Sequence, residues 1–232
     1  MSEIHCRDIF EFGSPKEQSY DLYFNAADMS LLPKSFANQV PYGMPWAELE
    51  NNQCSHCPLS KDQHKYCPAA ASIGLVAQKF ADVKSYVETL VAVITPDRTY
   101  LKKTTTQEAL QGLFGLTMAT CGCPHLNFLK PMARFHLPFA NETETMVRSL
   151  SFYLLRTFLK QTSQGVLTID LARLNEANEK VKIVNQHLVA RLRSLGHGDA
   201  DMNAVIILDT FVSLLTAQIS RSFEDLRPLF SE

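Results

Sequence analysis

The sequence predicts an α+β protein, in which an antiparallel sheet from two β-hairpins packs with helices and leads into a helical carboxy-terminal half. Two observations predict the sheet: strand-like runs come in two pairs, and each pair is joined by a short connection with turn chemistry. A third predicts the helices, because beyond Asn141 the apolar residues recur every three or four positions. Ile4 to Phe12 and Gln18 to Asn25 are the first strand pair, flanking Gly13-Ser14-Pro15-Lys16-Glu17. Asp28 to Trp46 carries Pro33, Pro41, Gly43 and Pro45 and reads as an irregular connection. The cysteine-rich segment Gln53 to Pro68 follows, and Ala69 to Ala81, rich in alanine and long aliphatics, reads as a helix. Ser85 to Thr95 is β-branched and ends at Pro96-Asp97, with Arg98 to Thr105 as its return strand. Gln107 to Thr120 reads as a helix despite Gly112 and Gly115, which are expected to permit close packing.

Asn141 with Glu144 makes a capping box for a helix running to Gln161, with Val147, Leu150, Leu154 and Phe158 on one face. The next helix begins near Asp170 and places Leu171, Leu174, Val181, Val184, Leu188, Leu192 and Leu195 along a stripe, with Gly196 as its terminating residue. The last, Asp201 to Phe223, is apolar nearly all round and is expected in a core. The stripe is expected to pack within the domain, since a coiled coil would sustain several clean heptads with charged flanks. A protein partner bound through these helices is the alternative. The chain is read as a single domain, 1–232, with a sheet-rich part (1–105) carrying the cysteine-rich insert and a mainly helical part (106–232).

A hydrophobic fraction of 46% and a charged fraction of 20% over 232 residues are those of a globular protein with a full core, which needs no disulfide staples. The formal charge of -2 gives no support to nucleic-acid or anionic-membrane binding. Met1 to Phe12 mixes charges among its apolar residues and does not read as a signal peptide. With no long uninterrupted apolar run either, the expectation is a cytoplasmic protein without a membrane contact. In that compartment clustered cysteines point to metals or redox chemistry before disulfides.

The chemistry sits in Cys54-Ser55-His56-Cys57-Pro58-Leu59, then His64 and Cys67-Pro68, and much later Cys121-Gly122-Cys123-Pro124-His125. A two-residue spacer lets the Cys54 and Cys57 sulfurs reach one ion, and Cys67 with Cys123 would complete a four-thiolate shell. Cys57, Cys67 and Cys123 are each followed by proline, which favours the first helical position and would make each cysteine an N-cap. A thiolate there meets free N–H groups and the positive end of the helix dipole. Two other readings stand beside this one: a redox pair, which the same spacer also serves, and plain burial, the usual state of a free cysteine. Cys6, within a predicted strand, is expected to be such an inert core thiol.

All-sulfur coordination suits zinc and iron–sulfur clusters alike. The solitary third and fourth ligands tilt the expectation slightly toward an iron–sulfur cluster. Cys121, His56, His64 and His125 are the substitutes for one of the four. A second cluster, Lys130 to Phe139, offers Arg134 and His136 as binders of an anionic cofactor or substrate near the cysteines. The blander reading, a half-buried extended connector pinned by Phe135, Leu137 and Phe139, is favoured. No nucleotide loop, dinucleotide fingerprint, zinc-protease helix or nucleophile elbow occurs, which weighs against catalysis.

The order Gln53-Cys54-x-x-Cys57-Pro58-Leu59, Cys67-Pro68, Gly122-Cys123-Pro124 and Lys130-Pro131-Met132-Ala133-Arg134-Phe135-His136-Leu137-Pro138-Phe139 resembles an uncharacterised family of bacterial, mainly proteobacterial, proteins. The likeness runs over the whole chain and implies a bacterial cytosolic origin and the four-cysteine set, with no reaction attached. The family pattern has serine where this chain has Cys121, which implies that Cys123 is the ligand. The expected function is a structural or metal- and redox-sensing metalloprotein. The alternatives are an iron–sulfur enzyme or electron carrier, and an interaction module with redox-active thiols.

Overall fold

Alternation sorts the side chains of the amino-terminal runs onto two faces. The computed structural model describes residues 2–12, 17–36, 45–80, 82–161, 168–194, 199–220 and 223–230. Strands β1 (Glu3–Glu11) and β2 (Glu17–Asn25) pair antiparallel with Cys6 opposite Leu22. β3 (Glu88–Ile94) takes the other edge of β1, Phe10 opposite Val91, and β4 (Thr99–Thr105) pairs with β3. The order β2-β1-β3-β4 is the expected antiparallel sheet from two hairpins. The first hairpin's connection, 13–16, lies outside the described residues.

The buried face of the sheet carries Cys6, Asp8, Phe10, Leu22, Phe24, Val91 and Val93. Helix α1 (Pro68–Phe80) sets Phe80 against it, with ring centroids 5.1 Å from Phe10 and 5.9 Å from Phe12 in edge geometry. Such pairs add to the area they bury. Helix α2 (Thr106–Thr120) buries Leu110, Leu113 and Phe114 completely. Close packing does not explain its glycines. A Cβ at Gly115 would sit 3.5 Å from the Leu208 side chain, an ordinary contact, and one at Gly112 would meet nothing within 4 Å.

The segment expected to be an extended connector begins as a helix. A 3-10 turn over Asn127–Leu129 runs directly into α3 (Lys130–Arg134), and Pro131 supplies a backbone angle already suited to a first helical turn. Only the residues after Arg134 leave helical geometry, with Phe135 exposed and stacked on Phe152.

Helix α4 (Glu142–Gln161) opens on the predicted capping box. The Glu144 N–H donates to Asn141 Oδ1 at 2.9 Å, and the Asn141 N–H donates to Glu144 Oε2 at 2.8 Å. Asn141→Ala is expected to cost about 1 kcal/mol in urea unfolding, because two helix-end groups lose their partners together. Met146, Val147 and Leu150 pack against Leu215, Phe223 and Leu226, whereas Phe158, further along the predicted face, is half exposed.

Helix α5 (Leu171–Ser194) is capped by Asp170, whose Oδ1 accepts the Ala172 N–H at 3.0 Å. Leu174, Val181, Val184, Leu188 and Leu192 of the predicted stripe are buried. Gly196 lies outside the described residues. Helix α6 (Asp199–Ser220) packs on α5 and α2 through Ala204 and Val205. It is not the all-round core helix expected: neighbours cover only part of its circumference, and Ile206 is 42% exposed. Its segment Met202–Ile219 is long and apolar enough to cross a membrane by length and composition.

Candidate metal centre

The cysteine-rich segment is a loop closed at its neck. Glu48 and Tyr66 form a bridge, the Leu49 N–H donates to the Lys65 carbonyl at 2.9 Å, and the Cys67 N–H donates to the Ala47 carbonyl at 2.9 Å. At the neck Cys67 caps α1 as its proline predicts: Pro68 opens the helix and the Cys67 carbonyl accepts the Ala71 N–H. Within the loop Cys54 and Cys57 are the ends of one tight turn, the Cys57 N–H donating to the Cys54 carbonyl at 3.0 Å. No helix follows Pro58, so Cys57 is not an N-cap. The turn already folds the chain back at Cys57, and Pro58 continues as irregular backbone.

The second half comes from the chain leaving α2. Gly122 has φ 89°, a conformation open to glycine, and the Cys123 N–H thereby faces the Cys121 sulfur at 3.4 Å. A serine hydroxyl at position 121 would accept the same N–H. After Pro124 the chain turns rather than entering an α-helix, the Leu126 N–H donates to the Cys123 carbonyl at 3.0 Å, and the His125 and Leu126 N–H groups act to lower the pKa of the Cys123 thiol. The N-cap expectation for Cys123 is corrected in form, since a turn supplies the N–H groups a helix end was expected to supply.

Histidines join the two halves. The His125 ring nitrogen Nε2 donates to the His56 carbonyl at 2.8 Å, and the two imidazoles stack at 4.0 Å between centroids. His56 Nε2 donates to the Lys180 carbonyl of α5 at 3.1 Å. In the neutral ring that leaves Nδ1 unprotonated, and it is buried without a partner. His64 is exposed on the loop, its N–H on the Ser60 carbonyl.

The structure brings Cys54, Cys57, Cys67 and Cys123 together as electrostatic neighbours. Burial pushes the Cys54 thiol up to about 12, and the Cys67, Cys57 and Cys123 sulfurs add to the rise. Cys123 is pushed up to about 11, chiefly by burial, against the pull of its two N–H donors. Cys121 lies beside Cys123 and Cys67, and burial also drives its thiol far up. All six cysteines are free thiols, and Cys6 is buried in the sheet as expected. Among the described residues no group of three or more His, Cys, Asp or Glu is placed so as to hold a metal ion.

Arg191 is the site residue that the sequence reading missed. It is 1% exposed on α5, where Nη1 donates to the Trp46 and Glu48 carbonyls at 2.8 and 2.7 Å and Nη2 to the Leu49 carbonyl at 2.9 Å. Its charge lies among the Cys67, Cys54 and Cys57 sulfurs, which oppose the lowering of its pKa by burial. One cation therefore fastens the loop's neck and favours the thiolate of Cys54. The signal was its spacing: Arg191 is three residues after Leu188 and seven after Val184, on the buried stripe.

The other predicted pair sits elsewhere. Arg134 is exposed over the Phe135 ring, and its charge partly opposes the rise that burial and Asp8 give the Cys6 thiol. His136 lines a cavity among the helices whose walls include none of the six cysteines. No curated protein and no solved structure matches the chain. Residues 6–231 match the model of the family described as domain of unknown function DUF6901, and the chain belongs to that family.

Proposed function

We propose that Cys54, Cys57, Cys67 and Cys123, which are not placed to hold an ion without further closure, close on one metal centre, an iron–sulfur cluster in preference to zinc. Its role is to lock the 48–66 loop to the 121–126 turn, so that loss of metal or a change of redox state loosens that joint. The observation that carries this reading is that the Cys67, Cys57 and Cys123 sulfurs all act on the ionisation of Cys54, and the Cys67 and Cys57 sulfurs on that of Cys123. Scattered core thiols would not share a neighbourhood. A redox nucleophile requires a lowered pKa, and burial raises those of Cys54 and Cys123. Protons leave a set of repelling thiols when a cation takes their place, so metal binding here would release protons. Arg191 and the N–H groups on Cys123 supply the partial positive charge that a four-thiolate shell needs. A bound centre would supply a fixed cross-link and, if it contains iron, one-electron chemistry. Six free thiols support a reducing compartment such as the cytoplasm as the place where such a centre would work.

Elemental analysis and an absorption spectrum of the full chain, purified without oxygen, test this reading. Iron with a band at about 400 nm is expected, as thiolate-bound clusters give. One zinc per chain in a colourless sample would keep the centre and change the ion. Metal-free protein would refute it. Cys67→Ser and Cys123→Ser are expected to lose the bound metal, whereas Cys121→Ser keeps it. If Cys121→Ser loses metal and Cys123→Ser does not, the ligand set is wrong.

A further inference from the structure

A cavity of about 160 Å³ lies between α2, α3, α4, α5 and α6, independent of the cysteine centre. Leu129, Val181 and Leu208 are typical of its walls, which are mainly apolar. Its size is close to that of an engineered apolar cavity of about 150 Å³ that takes up benzene. Unlike that cavity, this one carries polar atoms without partners. His136 Nε2 and Asn178 Nδ2 line it, buried and unbonded, and Asn178 as a whole is 3% exposed. Arg148 lines it as well, with Nη2 donating to the Met132 and Phe135 carbonyls at 3.0 and 2.7 Å. Among the described residues its guanidinium enters no ion pair. Glu144, the acid that most influences it, takes the Asn141 N–H.

Donors therefore outnumber acceptors on the polar part of the wall. Among the described lining residues Asn185 Oδ1 is an orphan carbonyl acceptor, its own amide nitrogen 3.3 Å from Asp209. A guanidinium, an amide N–H and a neutral imidazole in its Nε2–H tautomer together match an anionic oxygen pair. The apolar remainder matches a short chain or one ring, and a few convergent polar groups in such a cavity are the usual form of a small-molecule site. We propose that this cavity binds a small monocarboxylic acid with an apolar body, its carboxylate held by Arg148, His136 and Asn178. Burial and the Arg148 charge push the His136 ring down to about 4, so the ring is neutral and Arg148 is the one charged side chain among the described residues lining the cavity. A carboxylate between the two would reverse that influence.

Gly112 gives the test a second handle. It lines the cavity, a Cβ built there meets nothing within 4 Å, and a leucine side chain would occupy the ligand's space while improving helix propensity. Benzoate, hexanoate and uncharged benzamide are titrated into the full chain by calorimetry. Benzoate or hexanoate is expected to bind saturably, at least about 10-fold tighter than benzamide. Gly112→Leu and Arg148→Met are each expected to weaken the acid at least about 10-fold. Because Arg148 also holds two carbonyls, Gly112→Leu decides the matter if Arg148→Met does not fold. The proposal is overturned if neither acid binds below about 10 mM, if benzamide binds as tightly, or if Gly112→Leu leaves the affinity unchanged.

Discussion

Replacing Arg191 by methionine is expected to destabilise the protein by about 3–5 kcal/mol, the cost of leaving buried acceptors without their charged donor. Methionine keeps an unbranched side chain of similar reach, so lost packing contributes little. The Trp46, Glu48 and Leu49 carbonyls, however, lose hydrogen bonds of 2.7 to 2.9 Å in a place where the side chain itself is 1% exposed. Arg191→Lys is the informative companion. An ammonium keeps the charge near Cys54, Cys57 and Cys67 but lacks the planar fork that serves three carbonyls at once. Lysine should recover metal retention more fully than it recovers stability. Urea unfolding of both variants, with metal content measured alongside, checks this. A methionine variant within about 1 kcal/mol of the parent would mean that the neck of the loop is held by something else.

Local rules made much of the fold legible. The capping box at Asn141 and Glu144, the stripe on α5 and the two hairpins each depend on residues a few positions apart, and each occurs where expected. Cys67-Pro68 followed its rule because a helix does begin there. Cys57-Pro58 did not, because the Cys54–Cys57 turn had already used the local backbone. The same proline preference thus gave one right expectation at Cys67 and two wrong ones at Cys57 and Cys123, where a turn stands in place of a helix start. Apolarity alone also misled at α6. It reports that a helix has no polar face, not that neighbours exist to cover every side, and Ile206 stays exposed.

The site was legible in part for the same reason. The spacing of Cys54, Cys57 and Cys67 sits within one loop, and Cys123 could be added by its sequence context. The partners that tune them could not be read so easily, since Arg191 and the Lys180 carbonyl reach the loop from more than a hundred residues away. The cavity was wholly hidden. Arg148, His136 and Asn178 come from α4, the turn after α3, and α5, and no periodicity links them. Arg134 and His136 looked like a pair because they are two residues apart, but the end of α3 sends one to solvent and the other inward.

A second large effect is expected at Asp8, where stability should fall as pH rises. The residue sits on the core face of β1, is 1% exposed, and its Oδ2 is buried without a partner. Burial pushes its carboxyl from 3.8 up to about 7. Below pH 4 the folded and unfolded chains both carry the proton, and Asp8 makes no difference to stability. Between about 4 and 7 the unfolded chain has released it while the folded chain keeps it, so folding binds a proton and ΔG of unfolding declines with each pH unit. Above 7 the loss is complete, on the order of 4 kcal/mol for a shift of this size. Asp8→Asn removes the titration at nearly constant volume, so its unfolding free energy should lose most of that slope between pH 4 and 8. The slope is the quantity to compare, because the amide brings its own cost of burying two N–H groups. Cys6, two residues away on the same face and pushed up to about 12 by burial and by Asp8, stays protonated throughout and cannot produce the effect. Urea melts at several pH values measure the slope directly. Equal slopes for Asp8→Asn and the parent would mean that the carboxylate is solvated or paired in the folded protein, and that the sheet's inner face is wetter at its centre than its burial indicates.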